Sequence, residues 1–170
     1  NAVDLAEALR AAVTKGVAVF AAGGNNGQSL AQLRSYPVCT DADDASQWVI
    51  GVSAVSEDRR LSDFSSFGRD CIDLTAPGEN INSASWYGVA GYAYGWSGTS
   101  FATPFASGAA ALIKALRPEW QAEDIYRALL TRVSHSCAAT DDGYADWYGN
   151  GLLRVDRAVR AAAVAPWKTS

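Results

Sequence analysis

Two short strings carry the residue types that do chemistry. Residues 98–104 read Gly-Thr-Ser-Phe-Ala-Thr-Pro, and the small residues Ser107, Gly108, Ala109, Ala110 and Ala111 follow. Small and apolar positions continue to Leu116 and predict a helix over 100–116 with Ser100 at its start. A serine there sits among backbone N–H groups that lack intrahelical partners, where the helix dipole favours a developing negative charge. Such a place suits both an attacking hydroxyl and the oxyanion it creates. A serine before a helix is also a common N-cap. Yet Pro104 in the first turn needs no N–H partner, and the small residues after it let the helix sit tightly inside a layered core. Capping alone leaves most of the string unexplained.

The second string, residues 21–27, reads Ala-Ala-Gly-Gly-Asn-Asn-Gly and ends an apolar run that begins at Val17. The run predicts a strand over 17–22 buried on both faces. The glycines and asparagines then break it. By itself this is explained as well by an ordinary Gly/Asn turn as by a loop built to donate hydrogen bonds.

Taken together and in this order, the strings resemble the subtilisin family. Its nucleophile motif reads Gly, Thr, Ser, any residue, Ala, Thr or Ala, Pro, which residues 98–104 match throughout; its oxyanion segment reads Ala, Ala, Gly, Asn, any residue, Gly. Phe105 departs from the histidine often found after the proline, at a position outside the catalytic triad. Weaker echoes are Phe-Ser-Ser-Phe-Gly at 64–68, Ile-Asp-Leu-Thr-Ala-Pro-Gly at 72–78 and Gly-Asn-Gly-Leu at 149–152. The resemblance covers nearly the whole chain, 1–170, as the C-terminal portion of a peptidase domain with an enlarged loop around 39–47. It implies an α/β three-layer sandwich, α/β/α, around a mostly parallel sheet. It makes Ser100 the nucleophile of a serine endopeptidase and aligns Asn25 with the oxyanion asparagine, which would donate beside the Ser100 N–H. The extra glycine leaves Asn26 as the competing choice. Ala22, Gly23 and Gly24 become one wall of the pocket for the substrate residue before the scissile bond.

A serine hydroxyl is a poor nucleophile until a base takes its proton, and the base needs a carboxylate to hold its tautomer. In subtilisins both lie upstream of the residues matched here. The one histidine, His135, comes about 35 positions after Ser100, on the wrong side in family order, and is expected to be a surface or helix-end residue. The resemblance therefore implies an N-terminal portion carrying histidine and aspartate, either removed or present as a separate chain, without which this chain is nearly inert. It further implies an extended polypeptide substrate, an extracellular or secreted setting and no organic cofactor. The rival from another class is a non-catalytic folding or interaction module in which Ser100 is a vestige.

The elements that must position these residues follow from periodicity. Leu5, Leu9 and Val13 recur every four residues within a helix over 4–15 that Gly16 stops. Helix, turn and buried strand in that order suggest a crossover of a parallel sheet, with a functional loop at the strand's C-terminal end. Strands are expected at 48–55 and 72–75, a hairpin within 86–96, and helices at 122–133 and 156–164. Helix 100–116 has almost no polar side and is expected in the middle of the domain.

Other classes are excluded or weakened by composition. A net charge of −4 offers no basic stripe for nucleic acid, and the longest apolar stretches fall far short of the roughly 20 residues that span a bilayer. No signal peptide is legible at residues 1–9. Cys39, Cys71 and Cys137 leave open a disulfide with one free thiol, a bond outside the chain, or buried free thiols. Asp41, Asp43 and Asp44 form an acidic loop that either binds a structural calcium, as subtilisins often do, or is simply solvated; the fixed spacing of a calcium loop is absent. No Lys with Ser or Thr follows the glycines near Asn25, so they are not a phosphate loop. Gly95-Trp96-Ser97-Gly98 hints at a nucleophile elbow, but Thr99 stands where its last glycine should be. An esterase built on Ser97 would lose turnover on Ser97→Ala; the expected outcome, assayed in the complete protein, is that Ser100→Ala abolishes turnover and Ser97→Ala does not.

Overall fold

The computed structural model describes residues 2–89, 91–134 and 147–165, with side chains described from Asp4 onward and not for 87–89. After helix α1 (Ala2–Thr14) come three strands, β1 (Phe20–Ala22), β2 (Ile50–Val55) and β3 (Leu74–Pro77), all parallel and hydrogen bonded in that order. β2 is buried at every position, as a strand covered on both faces must be. Its Ile50, Val52 and Ala54 join Leu74 and Ala76 under helices α2 (Thr99–Leu116), α3 (Ala122–Leu130) and α4 (Val155–Val164). On the opposite face Ala21, Val49 and Ile72 pack with Leu30 and Val38 from the loop after β1, and Leu9 of α1 closes over them. Three layers result, α/β/α, around a parallel sheet, as expected for a subtilisin-like fold. Between β3 and α2 the chain leaves the sheet as an antiparallel ribbon of β4 (Ile81–Val89) and β5 (Tyr92–Trp96).

Two expectations change. The strand expected over 17–22 shortens to β1, and Val17 is 52% exposed. The helix expected to be buried all round covers only one side: α2 buries Thr99, Ala102, Ala106, Ala109, Ala110 and Ile113, whereas Leu112 is 53% exposed and Phe105 and Leu116 are also uncovered. One reason accounts for both. β1 is an outer strand, and among the described residues no element pairs with its free edge or lies over that side of α2. Other boundaries move by a few residues, since a ladder begins where partners align rather than where an apolar run begins. Among the described residues no helix is long and apolar enough to cross a membrane.

Buried polar groups tie the layers together. Tyr126 of α3 accepts a hydrogen bond from Val19 N–H at 2.7 Å, and its hydroxyl lies 3.3 Å from the carbonyl oxygens of Val19 and Trp48. It therefore spans the entrances of β1 and β2, and burial pushes its pKa up to about 12. Arg117, also buried, donates through Nε to Ala162 O at 2.7 Å and through a terminal nitrogen to Ala163 O and Ala165 O. This satisfies the carbonyls that a helix end leaves open. Cys39 and Cys71 form a disulfide that fastens the long loop after β1 to the approach to β3, settling the pairing left open by the spacing; Cys137 lies outside the described residues.

Asp73 stands beside this loop. Its Oδ2 accepts the Gly51 N–H at 2.7 Å, and burial pushes its pKa up to about 7 against the pull of that hydrogen bond, with Asp41 adding to the rise and Gln47 opposing it. A carboxyl that titrates near 4 when unfolded and near 7 when folded binds its proton more tightly in the fold. Its contribution is fully present below about pH 4 and is lost as pH rises towards 7. Asp73→Asn keeps an acceptor for Gly51 and removes the charge. Denaturant unfolding should show the variant gaining stability over the parent between pH 4 and 8; parallel curves for the two would refute this.

Candidate active site

The C-terminal end of β1 and the first turn of α2 meet, although about 75 residues separate them. Gly23 prolongs the strand ladder through its N–H to Val52 O at 2.9 Å. A Cβ there would come within 2.8 Å of Ile72 Cδ1, which would have to move, and 3.3 Å of Val52 O. Gly24 then adopts φ +106°, a left-handed conformation costly for other residues. Its N–H donates to Thr99 Oγ1 at 3.1 Å. The chain thereby turns Asn25 towards the helix. Asn25 Oδ1 accepts from both the N–H and the hydroxyl of Thr99, each at 2.9 Å.

This arrangement orients the carboxamide. The Thr99 N–H can only donate, so the atom facing it is the amide oxygen, and Nδ2 is left as a donor on the other side. Nδ2 lies 3.3 Å from where a Cβ on Gly98 would stand. Asn26 makes no such contact, so the structure brings Asn25, not its neighbour, to the helix start. Ala22, the last residue of β1, and the two glycines run directly into this turn.

At the first turn of α2, Gly98 is the N-cap, held by its N–H to Gly78 O at 2.8 Å, while Phe101 and Ala102 direct their N–H groups to Gly98 O. Thr99 spends its own on Asn25. The Ser100 N–H has no acceptor among the described residues, and the Ser100 hydroxyl, exposed to solvent, makes no hydrogen bond to them either. Two free backbone and side-chain donors and a free hydroxyl thus share one small open region. Ser97 differs: its Oγ accepts the Asn80 N–H at 3.1 Å and closes the base of the ribbon. His135 lies outside the described residues.

Two contributors were not singled out from the sequence. Nothing in the spacing marks Thr99 as a contact, yet it is the buried latch between loop and helix. Ser66, inside the Phe-Ser-Ser-Phe-Gly echo, donates its N–H to Gly24 O at 2.9 Å, and Gly27 N–H reaches Phe64 O at 2.8 Å. That echo braces the Asn25 loop from behind. Its own position is fixed by Ser53 Oγ, which donates to Ser66 O at 2.7 Å, and by Ser65 Oγ, which accepts from Ala54 N–H at 2.9 Å.

The acidic loop does not converge on a cation. Asp41 Oδ2 accepts from the N–H groups of Trp48 and Val49 at 2.6 and 2.9 Å, Asp43 pairs with Arg34, and Asp44 receives Arg10 and the Trp48 indole N–H. The Arg34 and Trp48 donors hold Asp43 and Asp44 respectively below the usual carboxylate range. Each carboxylate is committed to a different donor, and among the described residues no group of three or more acidic, His or Cys side chains could hold a metal. Calcium does not fit these three residues.

A parallel α/β layer structure whose strand end and helix start converge on an exposed serine is of the subtilisin-like class. The description "Subtilase family" matches residues 1–151, and the chain belongs to that family. It is 36% identical over 156 residues to subtilisin BL of Lederbergia lenta, covering 92% of this chain and 51% of that protein. It is likewise 36% identical to an alkaline protease of Alkalihalobacillus alcalophilus, covering 36% of it. Among solved structures, a protease of Pseudoalteromonas arctica superposes with a TM-score of 0.77 at 27% identity over 92% of this chain and 46% of that one. The prenylagaramide maturation protease PagA gives 0.75 at 28% identity, over 93% and 55% respectively. The chain thus spans about half the length, or less, of the relatives it matches.

Thr99→Val keeps the shape of the latch and removes its hydroxyl. Gly24 N–H then loses its acceptor in a partly buried place, which costs about 1–3 kcal/mol. Denaturant unfolding should register that loss, and an unchanged midpoint would show that the latch carries no weight.

Proposed function

We propose that residues 1–170 form the C-terminal portion of a subtilisin-like peptidase domain and supply the nucleophile and oxyanion side of a serine endopeptidase. The observation that carries this reading is the Asn25 carboxamide, latched by Thr99 beside a Ser100 whose N–H and hydroxyl have no partner among the described residues. Ser100 Oγ attacks the scissile carbonyl carbon as a histidine from an N-terminal portion takes its proton. The carbonyl oxygen becomes an oxyanion and receives hydrogen bonds from Asn25 Nδ2 and Ser100 N–H. Collapse of the intermediate breaks the C–N bond, the histidine returns the proton to the leaving amine, and water later hydrolyses the acyl-enzyme by the same route. An aspartate from the same portion would hold the histidine tautomer.

Support for such a complementary portion comes from the uncovered side of the molecule. The free edge of β1 together with exposed Val17, Phe105, Leu112 and Leu116 is an apolar face that a further strand and its layer would bury. The substrate is an extended polypeptide, and Ala22, Gly23 and Gly24 line the pocket for the residue before the scissile bond. An extracellular setting is supported by the Cys39–Cys71 disulfide, since such bonds persist in oxidising compartments.

A serine-directed phosphonate applied to the complete protein should label Ser100, located by peptide mass mapping. Asn25→Ala should lower kcat by about 10²–10³, the usual consequence of losing one oxyanion donor. Persistent failure to label would leave the non-catalytic module as the better reading.

A further inference from the structure

Asn25 rides on a loop that is held from two sides. In front, Thr99 fixes its carboxamide. Behind, residues 64–67 grip the loop at three points: Ser66 N–H donates to Gly24 O at 2.9 Å, Gly27 N–H to Phe64 O at 2.8 Å and Phe67 N–H to Gln28 O at 3.1 Å. Residues 24–28 are therefore placed no better than the segment they lean on. Two serines join that segment to the central strand. Ser65 Oγ accepts from Ala54 N–H at 2.9 Å, and Ser53 Oγ donates to Ser66 O at 2.7 Å. The Ser53 bond has the wider reach. Ser66 O belongs to the peptide unit whose N–H, that of Phe67, meets Gln28, while the N–H of Ser66 itself meets Gly24. The Ser53 hydroxyl thus holds the residue whose two flanking peptides bind both ends of the Asn25 loop.

The packing of β2 does not itself call for a hydroxyl at this position. Val52 and Ala54 on either side pack under the helices, so Ser53 points to the opposite face, where it is wholly buried. Alanine would fill nearly the same volume without the cost of taking a hydroxyl out of water. The surroundings of the hydroxyl show what it serves. A Cβ on Gly23 would stand 3.4 Å from Ser53 Oγ, and one on Gly24 would stand 3.3 Å from Ser66 Oγ. The two serine side chains therefore lie against the two residues that lead into Asn25. Resting on the serine endopeptidase reading, we propose that Ser53 is a positioning residue for the oxyanion donor: it touches neither substrate nor nucleophile and sets, through Ser66, where Asn25 Nδ2 stands when the tetrahedral intermediate forms. A preorganised donor stabilises the oxyanion only while it is held where the charge develops, and a misplacement of about 1 Å costs up to about 10²-fold in rate. With the Ser53 hydroxyl removed, Ser66 O keeps, among the described residues, the Ser65 hydroxyl at 3.3 Å. That is longer than an ordinary O–H···O bond.

A double-mutant cycle in the complete protein tests this, with an internally quenched peptide that the parent cleaves as substrate. Ser53→Ala should lower kcat about tenfold and leave KM within about twofold, because a donor aimed at the oxyanion acts after the substrate is bound. In an Asn25→Ala background the same substitution should change kcat by less than about twofold, since the group it positions is gone. A general loosening of the fold would instead slow both backgrounds alike. A Ser53→Ala protein with the parent's kcat, or an undiminished loss in the Asn25→Ala background, overturns the proposal. Amide hydrogen exchange in the Ser100→Ala protein gives a readout without turnover. Adding Ser53→Ala should speed exchange at Ser66 and Gly27 about tenfold and leave Val19, bonded to Tyr126 at the other end of the sheet, unchanged. Unaltered protection at Ser66 and Gly27 would likewise overturn it. An Asn25→Ala protein that keeps the parent's kcat would remove the oxyanion role of Asn25 and the proposal with it, whereas failure of the phosphonate to label Ser100 would remove the peptidase reading beneath.

Discussion

Everything at the candidate site depends on how one buried hydroxyl divides its hydrogen bonds. Thr99 Oγ1 accepts from Gly24 and donates to Asn25, and the backbone N–H of the same residue adds a second bond to the same carboxamide oxygen. Three bonds between the strand end and the helix start hold two segments that no regular ladder joins. They also decide which end of the Asn25 amide faces outward. Because the hydroxyl is fully buried, water cannot easily replace its partners, so the loop and helix behave as one unit.

Support for that unit passes backwards through the fold. The Asn25 loop leans on the Phe64 to Ser66 segment, which hangs from Ser53 and Ala54 in the central strand. The central strand is clamped at its entrance by Tyr126. Below, Asp41 closes the loop after β1 on itself, and the Cys39–Cys71 bond ties it to the approach to β3. Polar contacts thus gather at the sheet's ends and loops and at Ser53 in the central strand, while small residues line the side of α2 that meets the sheet. Alanines at 102, 106, 109 and 110 let α2 lie close against the strands, where larger side chains would force the layers apart.

The same helix has an opposite character on its other side. Phe105, Leu112 and Leu116 face solvent beside a strand edge that has no partner among the described residues. An apolar stripe of that width gains stability only when covered. The aromatic ribbon is a different kind of exposure. Its exposed rings lie on a two-stranded sheet set off from the parallel sheet, in the segment just before Ser100.

Much was legible in the residues alone. The helical periods of Leu5, Leu9 and Val13, the apolar runs at β1 and β2, and the serine string before a long run of small residues specify elements and their order, because local side-chain spacing dictates which faces can be buried. Those elements suggested a parallel-sheet crossover, and the resemblance of the two strings to the subtilisin family implied the layered α/β class and pointed to Ser100 and Asn25. Which of Asn25 and Asn26 meets Thr99, the pairing of Cys39 with Cys71, the role of Thr99 as a latch and the dispersal of Asp41, Asp43 and Asp44 among separate donors were decided only in three dimensions. Each depends on contacts between segments, most of them tens of residues apart, and no local pattern encodes which of two adjacent amides, or which of three thiols, the fold will bring within bonding distance. The exposure of half of α2 was hidden for the same reason: an apolar helix states that it must be covered, and only the arrangement of the surrounding elements shows which side they cover.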